Sequence, residues 1–122
     1  MTTKSNQNSE QLVKRIIDLI LDKKGEDIAI LDLRELSSFS DFFVIATGSS
    51  SVHVKAVADE IQEKLKKEDK TMPWHTEGYE AQKWILLDYV DVVVHIFDKG
   101  TREYYKLEKL WEDAEIQYID EM

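Results

Sequence analysis

The fold of this chain is decided by the stretch DFFVIATGSSSVHVKAVADEI at residues 41–61. Its first part, residues 42–46, is an unbroken apolar run, which is typical of a strand buried on both faces of a sheet. Gly48 and three serines then lead into a segment with apolar residues at three- and four-residue spacing, which predicts a helix over 51–67. A buried strand that leads directly into a helix indicates an α/β protein.

The segments on either side extend this pattern. Residues 9–23 carry an apolar helical face, and Gly25 stands where a helix often ends. Two apolar segments joined by Tyr89, Val90 and Asp91 are close enough in sequence to pair as an antiparallel hairpin. The predicted fold is a single-domain mixed β-sheet flanked by helices, in the order αββαβββα. The predicted helices are 9–23, 51–67 and 102–112, and the predicted strands are 27–33, 42–46, 71–75, 83–88 and 92–97.

Domain boundaries follow from where this pattern stops. The polar residues 1–8 are expected to form a disordered leader, residues 9–112 the α/β domain, and residues 113–122 an acidic tail. Side chains alternate along a strand, so Val93, His95 and Phe97 should face one side of the sheet. Their neighbours in the same strand should face the helices on the other side.

Composition and charge restrict the classes of partner. The 122 residues contain 16 Lys and Arg against 25 Asp and Glu, which gives a net charge of −9. Such a chain is repelled by phosphate backbones, so a basic protein is a better partner than a nucleic acid. Cys is absent, which excludes disulfides and thiolate metal ligands. No apolar run approaches the length of a membrane span, and residues 1–8 lack an apolar signal region, so a cytoplasmic protein is expected.

The turn at Gly48 is the strongest local candidate for a chemical site. Its spacing fits neither a P-loop nor a dinucleotide fingerprint nor a nucleophile elbow, so capping of the helix by a serine is favoured. A nucleotidyltransferase would need two or three carboxylates on neighbouring strands to hold Mg²⁺. Asp59, Glu60, Asp88 and Asp91 do not form such a set. We therefore expect no catalytic residue, no metal site and no cofactor.

Histidine and tryptophan side chains are the remaining candidates. No two histidines share a metal-ligand spacing, and His95 lies in an apolar strand, which predicts a buried, hydrogen-bonded imidazole. Trp84 begins a strand that ends beside the acids Asp88 and Asp91. An exposed aromatic side chain next to acids is typical of an interface anchor, although a core position explains Trp84 equally well.

Three segments resemble the ribosomal silencing factor family, also called Iojap-like proteins. They are DFFVIATGSSSVHV at 41–54, EG at 77–78 with WILLDY at 84–89, and DVVVHIF at 91–97 with REYYKLEKLW at 102–111. The resemblance extends over about residues 10–112. Its third segment is the most specific, because two long motifs stand there in succession.

The resemblance implies a nucleotidyltransferase-like fold that has lost its catalytic carboxylates. It also implies that the chain binds the large ribosomal subunit through ribosomal protein uL14 and sterically blocks subunit association, which represses translation under nutrient limitation. Val90 departs from the family pattern, in which Gly usually stands, and this is expected to affect the turn. The partner-binding residues implied by the resemblance are Glu77, Trp84, Leu86, Asp88, Tyr89 and Asp91.

Other functions stay open at this point. A silencing factor and a large-subunit assembly factor would share the same partner. A metal-dependent nucleotidyltransferase would be stabilised by Mg²⁺ and nucleotide, whereas the other candidates would not. A small acidic homodimer with an unrelated partner is the third class, and the sequence leaves the oligomeric state undecided.

Overall fold

A mixed β-sheet lies at the centre of the computed structural model, which describes residues 2–119. In chain order the elements are α1 (Thr2–Asp22), β1 (Glu26–Asp32), β2 (Phe42–Gly48), α2 (Ser51–Asp69), β3 (His75–Glu77), β4 (Trp84–Asp88), β5 (Val92–Asp98), α3 (Lys99–Tyr105), α4 (Leu107–Leu110) and β6 (Glu115–Tyr118). Among these residues the strands form one sheet in the order β3-β4-β5-β2-β1-β6. The strands β2 and β5 run parallel, and every other neighbouring pair is antiparallel. The predicted fold class is confirmed.

The two faces of the sheet are covered differently. Helices α1 and α2 pack on one face, where Ile16 and Ile61 join a cluster of buried side chains with Val94 of β5. On the other face Phe97 of β5 packs with Leu107 of α4 in a second, smaller cluster. The predicted alternation along β5 is confirmed, because Val92, Val94 and Ile96 belong to the first cluster, whereas Phe97 belongs to the second and the ring of His95 stacks on it. No helix within residues 2–119 is both long and apolar enough to cross a membrane.

The junction between β2 and α2 shows why this sequence turns here. The backbone of Gly48 approaches α2 so closely that an added Cβ would lie 2.8 Å from the amide nitrogen of Val54. Ser50 is the N-cap, and its hydroxyl accepts a hydrogen bond from the amide of His53 over 3.1 Å. The predicted capping by a serine is confirmed, and it satisfies one of the free amides of the first helical turn.

Both ends of the predicted domain differ from the structure. Helix α1 begins at Thr2, so residues 2–8, predicted as a leader, continue the helix; Met1 lies outside the described residues. Each residue added to an existing helix gains one backbone hydrogen bond. A helix can therefore extend into a polar segment that has no apolar face. The predicted tail contributes β6, which pairs with β1 and places Ile116 opposite Leu31. Residues 120–122 of that tail lie outside the described part.

Two inner boundaries also differ. The helix predicted over 102–112 is two short helices, because Lys106 adopts a left-handed conformation with φ of 48° and ends α3. The edge strand predicted over 71–75 begins only at His75. Pro73 has no amide hydrogen and cannot donate a hydrogen bond to the neighbouring strand. The amide of Trp74 donates to the carbonyl of Asp88 at the end of β4, and the paired strand β3 begins at the next residue, His75.

Candidate partner-binding surface

Strands β3 and β4 carry exposed or partly exposed side chains on the face that α1 and α2 do not cover. Trp84, Leu86 and Asp88 of β4 alternate with inward-facing residues and are partly exposed there. In β3, His75 lies opposite Asp88 and Glu77 lies opposite Leu86, so both strands present side chains to the same side. We call this surface the open sheet face, defined by His75, Glu77, Trp84, Leu86 and Asp88.

Trp84 is held in one orientation by three neighbours. Its indole Nε1 donates a hydrogen bond to Nδ1 of His95 over 3.1 Å. Its ring stacks on Phe97 with centroids 4.8 Å apart and contacts Tyr105 of α3 at 5.0 Å. One side of the ring packs while the residue stays partly exposed, so the core interpretation of Trp84 holds in part, and its role as an interface anchor stays a prediction.

His95 supports Trp84 from beneath. Only 3% of the residue is exposed, and burial lowers the pKa of its imidazole to about 3. The imidazole is therefore neutral at physiological pH, and because Nδ1 accepts from Trp84, its hydrogen is on Nε2. That Nε2 is buried with no hydrogen-bond partner among the described residues. The centroid of the imidazole lies 4.6 Å from that of the Phe43 ring. Because His95 is buried and accepts a hydrogen bond from Trp84, the prediction of a buried, hydrogen-bonded histidine is confirmed.

Two of the acids, Asp88 and Asp91, lie at the end of β4 away from Trp84, whereas Glu77 lies opposite Leu86 in the middle of the strand. A carboxylate oxygen of Glu77 lies 2.7 Å from Nε2 of His75, and both side chains are exposed. One carboxylate oxygen of Asp88 accepts the amide hydrogen of Val90 over 2.8 Å. The carbonyl of Asp91 accepts the amide of Asp41 over 2.7 Å, which ties the turn to the start of β2. The surface thus has an aromatic end at Trp84 and an acidic end at Asp88.

Tyr89 does not belong to this surface, although the resemblance placed it there. Its side chain is 7% exposed and packs in the cluster beneath α1 and α2. Burial raises the pKa of its hydroxyl, which has no hydrogen-bond partner among the described residues. The reason is the alternation of the hairpin: Trp84, Leu86 and Asp88 face one side, so the next odd-numbered residue faces the other.

The turn itself is strained. The amide of Asp91 donates to the carbonyl of Tyr89 over 2.9 Å, which closes a three-residue turn around Val90. Val90 has φ of 75°, a conformation that β-branched residues rarely adopt. Val90, at the position where the family resemblance implies Gly, is therefore the strained residue of this turn.

Sequence reasoning missed two contributors to this region, His75 and Tyr105. The sequence pattern identifies His75 only as one of three histidines without a metal-ligand spacing. In the structure it lies opposite Asp88, on the open sheet face. Tyr105 reaches Trp84 from a helix that follows β5. The strand register could have identified His75, whereas the contact of Tyr105 depends on the tertiary packing of α3.

Several polar groups of the turn after β2 are already hydrogen-bonded within the protein. The amide of Ser49 donates to Nδ1 of His53 over 2.8 Å, and Nε2 of the same ring lies 2.6 Å from the carbonyl of Lys23. The amide of Val54 donates to the carbonyl of Ser50. Within residues 2–119 no group of three or more His, Asp or Glu side chains is arranged to hold a metal ion.

A cavity of about 830 Å³ lies beside Arg102, near the carboxyl ends of β2 and β5. The guanidinium donates to Thr47 over 2.8 Å and forms an ion pair with Glu108 over 2.7 Å. It also donates to the backbone carbonyl of Asp27. The charge of Arg102 is therefore used to join α3 and α4 to the sheet.

Comparison with known proteins identifies a protein family whose sequences match this chain. Residues 6–122 match the family described as RsfS, ribosomal silencing factor during starvation. A ribosomal silencing factor from Halalkalibacterium halodurans is 44% identical over 110 residues, which cover 90% of this chain and 91% of that protein. A crystal structure of a protein from Chromobacterium violaceum superposes with a TM-score of 0.81 at 40% identity, covering 84% of this chain and 85% of that one.

This chain belongs to the ribosomal silencing factor family. A more distant relative from mouse is named mitochondrial assembly of ribosomal large subunit protein 1. It is 29% identical over 101 residues, and the matched part covers 44% of its length.

Proposed function

We propose that this protein binds the large ribosomal subunit through ribosomal protein uL14 and blocks association with the small subunit. The observation that carries the proposal is the open sheet face, where a fixed, partly exposed Trp84 shares one face of the sheet with the acidic side chains of Glu77 and Asp88. Family membership supports the ribosome as the target. Occupying a surface that the small subunit needs would repress translation without chemistry, and a cytoplasmic location suits that role.

The binding residues of this proposal are Glu77, Trp84, Leu86, Asp88 and Asp91. The first four lie on β3 and β4, and Asp91 follows in the turn. A net charge of −9 favours a basic protein over the surrounding ribosomal RNA. An aromatic anchor rimmed by charges is the usual composition of the centre of a protein interface.

The test is co-sedimentation with purified large subunits, followed by a subunit-joining assay. Trp84→Ala should weaken binding by roughly thirtyfold, since central aromatic anchors often contribute 2 kcal/mol or more. Tyr118→Ala is the matched control, because Tyr118 is an exposed aromatic residue at the opposite edge of the sheet. Binding of a folded Trp84→Ala protein at the wild-type level would contradict the proposed surface, and unimpaired subunit joining would contradict silencing.

A role in large-subunit assembly is the second candidate, supported by the name of the mouse relative. Depletion of the protein would then accumulate immature large subunits, whereas silencing alone would leave their maturation intact. We further propose that the protein is not an enzyme. Metal-dependent nucleotidyl transfer by the purified chain would overturn this, and light scattering of the free protein would decide whether it is a homodimer.

A further inference from the structure

Two consecutive tyrosines on α3 are exposed far beyond what packing of this helix requires. Tyr104 is 80% and Tyr105 54% exposed, and their rings meet edge to face with centroids 5.0 Å apart. Large aromatic side chains that are exposed together are a mark of interaction surfaces. We call Tyr104 and Tyr105 the aromatic ledge.

The aromatic ledge is continuous with the open sheet face. Tyr105 contacts Trp84 with ring centroids 5.0 Å apart, so the rings of Tyr104, Tyr105 and Trp84 follow one another in space. A shallow cavity of about 380 Å³ lies between Trp84 and Gly100, Tyr104 and Tyr105 of α3. A partner seated on Trp84 would therefore meet the aromatic ledge next.

The short helix that carries the ledge is anchored to the sheet. Asp98 caps its start by accepting the amide hydrogen of Thr101 over 2.8 Å. Arg102 joins it to Thr47 of β2 and to Glu108 of α4. The tyrosines are thus presented by a fixed backbone, which limits the entropy lost when a partner binds.

The open sheet face and the aromatic ledge together form one surface, and the two ends of this surface differ in charge. Trp84 and Asp88 stand at opposite ends of β4, about 13 Å apart at the usual rise of a strand. The acids Asp88 and Asp91 lie at one end, whereas Lys83 lines the cavity beside the ledge. The ledge therefore contributes buried aromatic area, and attraction of a basic partner comes from the acidic end.

We propose that the aromatic ledge is the second half of the docking surface and contacts the same basic large-subunit protein as the open sheet face. This inference rests on the proposed function, because it assigns the same partner. The contact of Tyr105 with Trp84 and the charge complementarity at the acidic end argue for that occupant. A second copy of this chain on the ledge is the competing outcome.

The experiment measures the affinity of large subunits for Tyr104→Ala at low and at high salt. We expect roughly a tenfold loss that is the same at both salt concentrations, because burial of an aromatic ring is not screened. Tyr104→Phe should retain most of the affinity, and Tyr118→Ala should bind like the wild type. Tyr104→Gln, a second variant without a ring, must lose affinity as Tyr104→Ala does.

The outcomes separate this inference from the proposed function. If Trp84→Ala loses binding while both ring-deleting variants of Tyr104 bind like the wild type, the ledge lies outside the interface and only this inference fails. If the Tyr104 variants convert a dimer to a monomer with ribosome binding unchanged, the ledge joins two copies and the inference is also overturned. If the wild-type protein does not bind large subunits, the proposed function fails, and this inference is overturned with it because it assigns the same partner.

Discussion

The indole of Trp84 donates its hydrogen bond to the buried imidazole of His95, and the two rings lie 5.9 Å apart. One residue is partly exposed and the other is enclosed, so the most prominent side chain of the open sheet face is oriented from inside the molecule. The contact requires a neutral imidazole with a free electron pair on Nδ1. Surface geometry and the protonation state of the core are therefore linked at this pair.

Trp84→Phe should reduce the free energy of unfolding by about 1–3 kcal/mol, because it keeps a ring on Phe97 but leaves both nitrogens of His95 unpaired in the core. Trp111→Phe is the control. The indole of Trp111 packs edge-on against Phe43 and donates no hydrogen bond within residues 2–119. Urea unfolding of both variants gives the comparison, and equal losses would show that the hydrogen bond adds nothing beyond ring size.

His95 should make the stability of the fold depend on pH. Its pKa is about 3 in the folded protein and near 6.5 when unfolded, so only the unfolded chain gains this proton between those values. Stability should fall as pH decreases from 6.5 toward 3, by at most about 1.4 kcal/mol per pH unit from this group. His95→Asn removes the titration and should flatten the profile between pH 6 and 4.5, measured by urea unfolding. A profile as steep as that of the wild type would assign the acid sensitivity to carboxylates instead.

Asp91→Lys should slow association with large subunits, and the loss should shrink at high salt. Exposed charges steer a partner over distances that salt screens beyond about 8 Å at physiological ionic strength. Asp113→Lys makes the same change of charge in the segment before β6 and should have a smaller effect. Stopped-flow association at two ionic strengths gives the rates. A loss with Asp91→Lys that does not vary with salt would indicate a structural role in the turn.

Val90→Gly should stabilise the protein by up to about 1 kcal/mol. A residue with a Cβ in the left-handed region is strained by about 1–2 kcal/mol, and the added flexibility of Gly in the unfolded chain offsets part of the gain. The same replacement at Val52, an exposed residue of α2, should destabilise the protein instead. Thermal unfolding of the two variants tests the sign, and a destabilised Val90→Gly protein would mean that the turn is not strained.

Gly78→Ala should destabilise the protein by about 1–3 kcal/mol, the range typical of a strained backbone position. Gly78 has φ of 90°, and an added Cβ would lie 1.9 Å from the carbonyl oxygen of Trp84. Gly100→Ala is the matched control, because an added Cβ would lie 4.0 Å from Oδ1 of Asp98, an ordinary contact distance, and Ala favours the helix α3. The two midpoints of thermal unfolding should move in opposite directions.

The parts of the fold that depend on local pattern could be predicted from the sequence. The β4–β5 hairpin, the serine cap of α2 and the alternation of β5 each follow from neighbouring residues, and the structure confirms them. The break at Lys106 could not be predicted, because nothing local distinguishes this lysine from a helical one until the packing of α3 and α4 is known. The pairing of β6 with β1 depends on contacts between residues far apart in the sequence.

Only part of the candidate surface could be predicted from the sequence. The family resemblance implies Trp84, Leu86 and Asp88, and strand alternation places all three on one face of the sheet. Tyr89 was included through family resemblance, although the same alternation would have assigned it to the core. Tyr105 could not be found from the pattern, because its contact with Trp84 depends on where α3 packs after leaving β5.

The pairing of β6 with β1 has a consequence for folding during synthesis. The outer edge of β1 receives its neighbour only after the segment at 115–118 has left the ribosome, so the nascent chain exposes an unpaired strand edge for most of its elongation. Premature termination before this segment would leave that edge open to pairing with other chains. Once formed, β6 becomes the edge strand of the sheet, and its four residues offer a shorter edge to other chains than the seven residues of β1.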